Sequence, residues 1–233
     1  MNVIKNLVSQ SKYSIKCPYA MTPEFVVVHN TANDASAQNE VKYMISNNNQ
    51  VSFHFAVDDK EIVQGLPLDR NAWACGDGAN GKGNRKGIQI EICYSKNGGI
   101  RFENAEKNAA KFIAQLLKER GWGVDKVKKH QDFSNKYCPH RTLDKGWASF
   151  VNMVKDYLNE LNKPAQANQT STFLVEIICD TLNIRQQADF NSKVVGTVKR
   201  GEVFTIVEEK NGLGKLKSGV GYISMNAKYV RRK

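Results

Sequence analysis

The stretch FVVVHNT at 25–31 determines the fold predicted for the first part of the chain. Its four leading residues are apolar without a break and end at His29, which is the pattern of a strand buried on both faces. A second strand is predicted for IQIEIC at 88–93, where three isoleucines face one way and Glu91 lies on the opposite, polar side. A histidine at the end of a buried strand lies where open α/β sheets commonly carry their site residues.

Two amphipathic helices are predicted after these strands. Residues 103–120 place apolar side chains at the i, i+3, i+4, i+7 and i+8 positions, and Gly121 is placed to end this helix. A second apolar stripe predicts a helix from about 144 to 161. Strands that alternate with helices indicate an α/β domain. The other elements predicted here are a helix over 35–47 and a hairpin of strands over 51–57 and 61–66.

The composition is that of a globular protein, with 233 residues, 41% hydrophobic and 24% charged. No apolar run reaches the roughly 20 residues that span a bilayer, so we expect no stable membrane insertion. Residues 1–16 lack the apolar segment of a signal peptide, so we expect synthesis in the cytoplasm without one. The five cysteines are odd in number and form no CxxC pair, which favours a reduced compartment over a disulfide framework.

The net charge of +11 favours a polyanionic partner, such as nucleic acid, an anionic cell wall or a lipid surface. The basic residues are scattered, apart from KVKK at 126–129 and RRK at 231–233. No nucleic-acid-binding motif accompanies them. We therefore expect no nucleic-acid partner. A basic nucleic-acid binder stays as an alternative, and it would bind DNA in a strongly salt-dependent way without a metal.

The polar stretch NKPAQANQTST at 162–172 has the composition of a linker. Helical periodicity stops before it, and short strand-like segments follow it. Turn residues such as Asn211-Gly212 separate these segments, and about 60 residues of short, closely spaced strands indicate a small β-barrel. We therefore predict an α/β domain over 1–161, a linker over 162–172 and an all-β domain over 173–233.

The segment KKHQDFSNKYCPHR at 128–141 concentrates groups that bind metals or transfer protons. His130 and Cys138 are ligand types that zinc prefers, and His29 is a candidate for the third ligand of a catalytic site. The spacing of eight residues between His130 and Cys138 is not that of a zinc finger. A redox or nucleophilic role for Cys138, with a histidine as its base, is an alternative.

Three segments together carry a family resemblance: VVVHNT at 26–31, IQIEIC at 88–93 and HQDFSNKYCPH at 130–140. They resemble the zinc-dependent N-acetylmuramoyl-L-alanine amidases of the type-2 family, over roughly residues 1–160. The resemblance implies a mixed central sheet flanked by helices, one Zn²⁺ per chain and peptidoglycan as the substrate. It also implies cleavage of the amide between the lactyl group of N-acetylmuramic acid and L-alanine.

The same resemblance implies that His29, His130 and Cys138 bind the zinc and that Glu91 and Lys136 are the catalytic pair. The chemistry agrees, because an unreactive amide requires a strong nucleophile and zinc lowers the pKa of bound water to about 7. On the polar side of its strand, Glu91 can pass a proton from water to the leaving amine. Lys136 can stabilise the negative charge that develops on the carbonyl oxygen.

Further candidates are predicted around this site. The loop NAWACGDG at 71–78 resembles a tryptophan-containing loop of the family, but Ala74 follows the tryptophan where many members have histidine. His140 has ligand chemistry but follows Pro139, and we expect a structural role for it. The residues predicted to contact substrate are Asn30, Thr31, Trp73 and His54.

Residues 180–230 resemble bacterial SH3-like wall-targeting domains through LNIR, VVGTVKRG and GYIS. Leu213 and Tyr222 stand where members commonly have tryptophan, so the fold is expected to persist while a wall-binding surface built on those aromatics is in question. The two resemblances together predict a peptidoglycan hydrolase of the phage or prophage endolysin type, which acts on the wall after release. The alternatives are a host autolysin of the same chemistry and a non-catalytic peptidoglycan-binding protein.

Overall fold

The computed structural model describes residues 2–163 and 172–233. The chain divides into two compact units, Met1–Lys163 and Pro164–Lys233. Most of the linker predicted over 162–172 lies outside the described residues, so that linker stays a prediction. Among the described helices, none combines the length and the apolar character that crossing a membrane requires.

The first unit is built on a six-stranded mixed sheet with the order β1-β4-β3-β5-β2-β6. Strand β3 is antiparallel to β4, and every other neighbouring pair is parallel. The predicted mixed sheet is therefore confirmed. Its strands are β1 Val3–Lys5, β2 Phe25–Asn30, β3 Phe55–Val57, β4 Ile62–Gln64, β5 Gly87–Ile92 and β6 Val127–Lys129.

The main core of this unit lies between the sheet and its two long helices. The isoleucines of β5 are fully buried in one apolar cluster together with Phe112 and Ile113, and α4 packs against α6. Gly121 ends α4 with a φ of 64°, a left-handed conformation that glycine adopts without steric cost. The helices are α1 Tyr13–Lys16, α2 Ala37–Ser46, α3 Lys82–Lys86, α4 Gly99–Arg120, α5 His140–Asp144 and α6 Trp147–Asn162.

Several elements differ from their predicted bounds, and α4 begins at Gly99 rather than at residue 103. The strand predicted over 51–57 covers only 55–57, because the chain before it follows a loop in which the backbone N–H of Ser52 donates to the carbonyl of Trp73. The helix predicted from 144 begins at 147, because Gly146 has a φ of 101° and separates it from α5. Strands β1 and β6 were not predicted, since three residues are too few to show a period.

The second unit is an all-β sheet of seven antiparallel strands in the order β13-β7-β10-β11-β12-β8-β9. Leu213 is fully buried and Tyr222 is half-buried, so both substitutions for tryptophan are accommodated within the sheet. The predicted all-β class is confirmed. The strands are β7 Phe173–Ile177, β8 Thr181–Arg185, β9 Val194–Lys199, β10 Val203–Lys210, β11 Leu213–Leu216, β12 Tyr222–Ser224 and β13 Val230–Arg232.

Candidate metal centre

Three side chains from distant parts of the sequence converge at one end of the central sheet. His29 lies near the end of β2, His130 directly follows the parallel neighbour β6, and Cys138 lies in the loop before α5. One ligand atom from each lies within 4.8 Å of the others, and all three residues are buried. Nδ1 of His29 is 3.0 Å from Nδ1 of His130 and 4.0 Å from Sγ of Cys138.

The protonation of these groups suits a cation. Burial, followed by the neighbouring His130, lowers the pKa of His29 to about 3. Burial and the Lys136 ammonium lower the pKa of His130 to about 4. Burial, followed by Glu91, raises the pKa of Cys138 to about 11. At neutral pH both imidazoles are therefore neutral, with lone pairs to share, and the thiol must release a proton when a metal binds.

This donor set fits zinc. Zinc binds histidine nitrogen at about 2.0–2.1 Å and cysteine sulfur at about 2.3 Å, so atoms at these mutual distances can share one ion. The Nε2 atom of His29 lies 2.8 Å from Oε1 of Gln89, which fixes the tautomer that keeps Nδ1 unprotonated. Three protein ligands of the nitrogen and sulfur type are also the number found in catalytic zinc sites.

Gln89 is itself held in one orientation. Its amide nitrogen donates to the carbonyls of Gly83 and Gly87, at 2.7 and 3.1 Å, so its oxygen must face His29. That oxygen also accepts from the Cys75 thiol at 3.2 Å. Gln89 therefore positions a ligand rather than binding the metal.

Glu91 stands beside the three ligands. It is the register partner of His29 across the parallel pair of β2 and β5. One of its carboxylate oxygens, Oε2, is buried without a hydrogen-bond partner among the described residues. Burial and the nearby Glu40 carboxylate raise the pKa of Glu91 to about 8, against the opposing effect of Lys136. A carboxyl group with a pKa near the working pH can both accept and return a proton.

Two cavities open next to this cluster. The smaller, of about 270 Å³, is lined by Glu91 and Cys138, and the larger, of about 560 Å³, is lined by His130 and Trp73. Lys136 is exposed and lines both of them. Because both are lined by Lys136, the two cavities adjoin each other and together form a cleft beside the metal ligands.

The first unit matches the family model described as N-acetylmuramoyl-L-alanine amidase over residues 19–141, and the second matches the bacterial SH3 domain over residues 180–231. The first match covers more than half of the chain. The chain belongs to the N-acetylmuramoyl-L-alanine amidase family. Members of this family are in general zinc-dependent.

Similar proteins include two curated amidases of Bacillus subtilis (strain 168). CwlA is 56% identical over 172 residues and XlyB 57% over 178, matching 73% and 75% of this chain. The chain spans 63% and 56% of the length of these two relatives. The solved structure of PlyL is 56% identical, with a TM-score of 0.65, and the match covers 66% of this chain and 97% of PlyL.

A buried lysine fixes one wall of the cleft in this amidase-family unit. Lys16 is fully buried, and its ammonium donates to Oδ1 of Asn47 at 2.9 Å and to the carbonyls of Asn49 and Val51 at 2.6 and 3.1 Å. All three acceptors belong to residues that line the smaller cavity. The N-terminal helix α1 thus positions a loop of the cleft.

Two residues predicted to contact substrate make hydrogen bonds within the fold. His54 is fully buried, and its ring nitrogens are bonded to the carbonyl of Arg70 and the N–H of Gln89, both at 2.9 Å. His54 lines neither of the two cavities, and its predicted substrate contact stays a prediction. Asn30 lines the smaller cavity, and its Oδ1 atom accepts from the backbone N–H groups of Arg141 and Thr142, so this amide also holds the start of α5.

The remaining predicted contacts, with Thr31 and Trp73, stay predictions as well. Thr31 lines the smaller cavity and its hydroxyl is buried without a partner among the described residues. Trp73 lines the larger cavity while its ring N–H donates to the carbonyl of Ile15 at 3.0 Å. His140 lines the smaller cavity with Nε2 3.2 Å from the carbonyl of Ser95, which is consistent with a structural role.

The function of Gln89 leads to a prediction that requires no substrate. Gln89→Leu is expected to weaken zinc binding by about 10–100-fold, because it removes the acceptor that orients His29. The measurement is a competition titration of zinc with a chromophoric chelator. Gln64→Leu is the matched control, since Gln64 is also a buried strand glutamine and lies outside the metal cluster. Equal zinc affinity of the two variants would contradict the positioning role.

Proposed function

We propose that this chain is a peptidoglycan hydrolase that cleaves the amide between the lactyl group of N-acetylmuramic acid and L-alanine. The observation that supports this most is the convergence of His29, His130 and Cys138 within 4.8 Å, beside Glu91, whose Oε2 atom is buried without a partner among the described residues. The alternative of a nucleophilic Cys138 is disfavoured, because burial raises the pKa of this thiol to about 11 rather than lowering it.

We propose one zinc ion per chain, held by these three residues. When bound, zinc acts as a Lewis acid that polarises a carbonyl group and makes water nucleophilic at neutral pH. The buried and mutually close ligands leave one side of the cluster open to the two cavities. An amide that extends across the cleft would present its carbonyl group there.

Glu91 transfers the proton. The carboxylate takes a proton from the attacking water and returns it to the amine of L-alanine, so that the C–N bond breaks and a neutral amine leaves. Its position beside His29 supports this role, as does its buried Oε2 atom, which has no partner in the part of the chain that the structure describes. The products are the free lactyl carboxylate and a peptide that begins with alanine.

Lys136 supplies positive charge at the junction of the two cavities. It is two residues from Cys138 and borders both cavities, so its ammonium can approach an oxygen that becomes negative during the reaction. The positive charge of Lys136 also acts on two of the ligands, because it contributes to the lowered pKa values of His29 and His130.

Digestion of purified peptidoglycan tests the proposed reaction. The zinc-loaded chain is expected to release new α-amino groups that are identified as alanine by N-terminal labelling. Free reducing sugar ends without new amino groups would identify a glycosidase and overturn the proposal. A chain that binds the wall and produces neither group would be a non-catalytic peptidoglycan-binding protein.

We further propose that the second unit anchors the enzyme to the wall, after its release from the cell in which it is made, as in a phage or prophage endolysin. A host autolysin would use the same chemistry. Attachment raises the local concentration of substrate without changing the reaction. The family match over residues 180–231 supports this role.

A variant that ends at Lys163 tests the anchoring role. It retains the whole first unit with its own core, so its activity on a soluble muramoyl peptide is expected to change by less than twofold. Its sedimentation with purified walls, and its rate on them, are expected to fall by at least tenfold. Wall binding equal to that of the full chain would contradict the anchoring role.

A further inference from the structure

The smaller cavity combines an apolar rim with buried oxygen atoms. Three large side chains on its rim are strongly exposed: Tyr43 by 65%, Val51 by 61% and Tyr137 by 53%. Two buried carboxylate oxygens lie deeper and have no hydrogen-bond partner among the described residues, one from Glu91 and one from Glu40. An apolar cavity with a few unpaired polar groups is the usual form of a ligand site.

Glu40 is the group in this cavity that has no assigned function. It belongs to the first turns of α2, and no ion pair involves it among the residues that the structure describes. Burial raises its pKa, and a hydrogen bond with Asn33 only partly opposes that effect. No group of the described residues donates to its Oε1 atom. An unpaired buried acceptor is costly, so a ligand that brings an N–H group into this cavity would be stabilised by Glu40.

The position of Glu91 indicates which part of the substrate enters this cavity. Glu91 lines the smaller cavity and is absent from the lining of the larger one. Under the proposed function, on which this step rests, Glu91 gives its proton to the leaving amine of L-alanine. The leaving peptide therefore extends into the smaller cavity, and the muramoyl part extends toward Trp73 in the larger one.

We propose that Glu40 is a specificity-determining residue that accepts a hydrogen bond from the first peptide N–H beyond L-alanine. Consecutive Cα atoms are about 3.8 Å apart, so this N–H lies one residue deeper than the amine that Glu91 protonates. Glu40 and Glu91 line the same cavity, which fits contacts with neighbouring positions along one peptide. The apolar rim would contact the side chains of that peptide.

A pair of matched substrates tests this contact. One is an N-acetylmuramoyl dipeptide, and the other is its depsipeptide, in which an ester oxygen replaces the N–H of the second residue. The zinc-loaded full chain is expected to cleave the dipeptide with a kcat/KM on the order of tenfold to a hundredfold higher than that for the depsipeptide. This ratio corresponds to the free energy that a hydrogen bond to a charged group typically contributes. Release of the lactyl carboxylate is measured in both cases.

In Glu40→Leu the preference for the dipeptide is expected to fall to within about twofold of equality, because the acceptor is gone. Any effect of Glu40 on the ionisation of Glu91 changes both rates alike and cancels in the ratio. Glu40→Gln keeps an acceptor oxygen and the shape of the side chain, so its preference should lie between those of the wild type and Glu40→Leu. If Glu40→Leu does not fold, the comparison of Glu40→Gln with the wild type tests the role of Glu40. Glu103→Leu, an exposed change on α4, is the control that should keep the wild-type ratio.

The outcomes separate this contact from the reaction itself. The same dipeptide preference in the wild type, Glu40→Gln and Glu40→Leu overturns the role of Glu40 and leaves the amidase proposal intact. Cleavage of neither substrate by the zinc-loaded wild type overturns the proposed function, and the role of Glu40 with it.

Discussion

Glu91→Gln is expected to lower kcat/KM on a soluble muramoyl peptide by about 10²–10⁴-fold while one zinc per chain stays bound. Glutamine keeps the shape of the side chain but can neither take a proton from water nor return one to the leaving amine. The metal is retained because Glu91 is not in the ligand cluster of His29, His130 and Cys138. Rates are measured by amine release, and metal content by elemental analysis of the same samples.

Glu103→Gln is the control for this substitution, since it removes an exposed carboxylate from α4. It is expected to retain the wild-type rate within about twofold. A Glu91→Gln variant that kept its rate within tenfold of the wild type would exclude Glu91 as the proton carrier. Loss of zinc from that variant would instead show that the carboxylate helps to bind the metal.

The raised pKa of Glu91 also has a consequence for the stability of the metal-free protein. The folded state holds this proton up to about pH 8, whereas an unfolded glutamate loses it near pH 4.3. Protonated Glu91 therefore contributes fully to the free energy of unfolding below about pH 4. This contribution is lost as the pH rises toward 8. Without metal, the Tm of Glu91→Gln minus that of the wild type should increase between pH 5 and pH 8. A difference in Tm that does not change between these pH values would mean that the pKa of Glu91 is not raised.

Cys138→Ser is expected to weaken zinc binding by more than the 10–100-fold that removal of a supporting residue costs, because a thiolate ligand is lost. Amidase activity should fall with the metal content, and added zinc should restore only part of it. Competition titration with a chelator gives the affinity, and amine release gives the rate. Unchanged zinc affinity in this variant would remove Cys138 from the ligand set.

Cys75→Ser is the matched control for Cys138→Ser. Cys75 is also fully buried near the site, but its thiol donates to Gln89 and it is outside the ligand cluster. Burial raises its pKa, as it raises that of Cys138. Two substitutions of the same chemistry in similar surroundings should therefore differ in zinc affinity, and only the change at residue 138 should cause a large loss.

The strands that carry the site could be predicted because burial on one or both faces leaves a clear pattern in sequence. The apolar run before His29 and the three isoleucines around Glu91 predicted β2 and β5 almost to the residue. The same alternation places Gln89 on the face of Glu91, and this signal was sufficient to suggest Gln89 as a neighbour of the metal ligands. Gln89 was nevertheless not predicted as a residue that supports the metal site.

Other parts of the site depend on contacts that no local pattern records. His54 falls within the strand predicted over 51–57, but the chain at that residue is a loop, and the ring is held by backbone groups 16 and 35 positions away. Lys16 reaches a loop more than 30 positions away. Glu40 enters the cleft only because α2 packs beside β3 and β4. Sequence periodicity predicts the elements, whereas these contacts depend on how the elements pack.

Titration of the metal-free full chain with Co²⁺, followed by absorption spectroscopy, tests the central claim that His29, His130 and Cys138 together hold one metal ion. One equivalent per chain should produce the visible bands of a four-coordinate site and an ultraviolet thiolate-to-cobalt charge-transfer band in the wild type and in Cys75→Ser. That charge-transfer band should be absent from Cys138→Ser. Failure to bind one equivalent, or an undiminished thiolate band in Cys138→Ser, would contradict the claim.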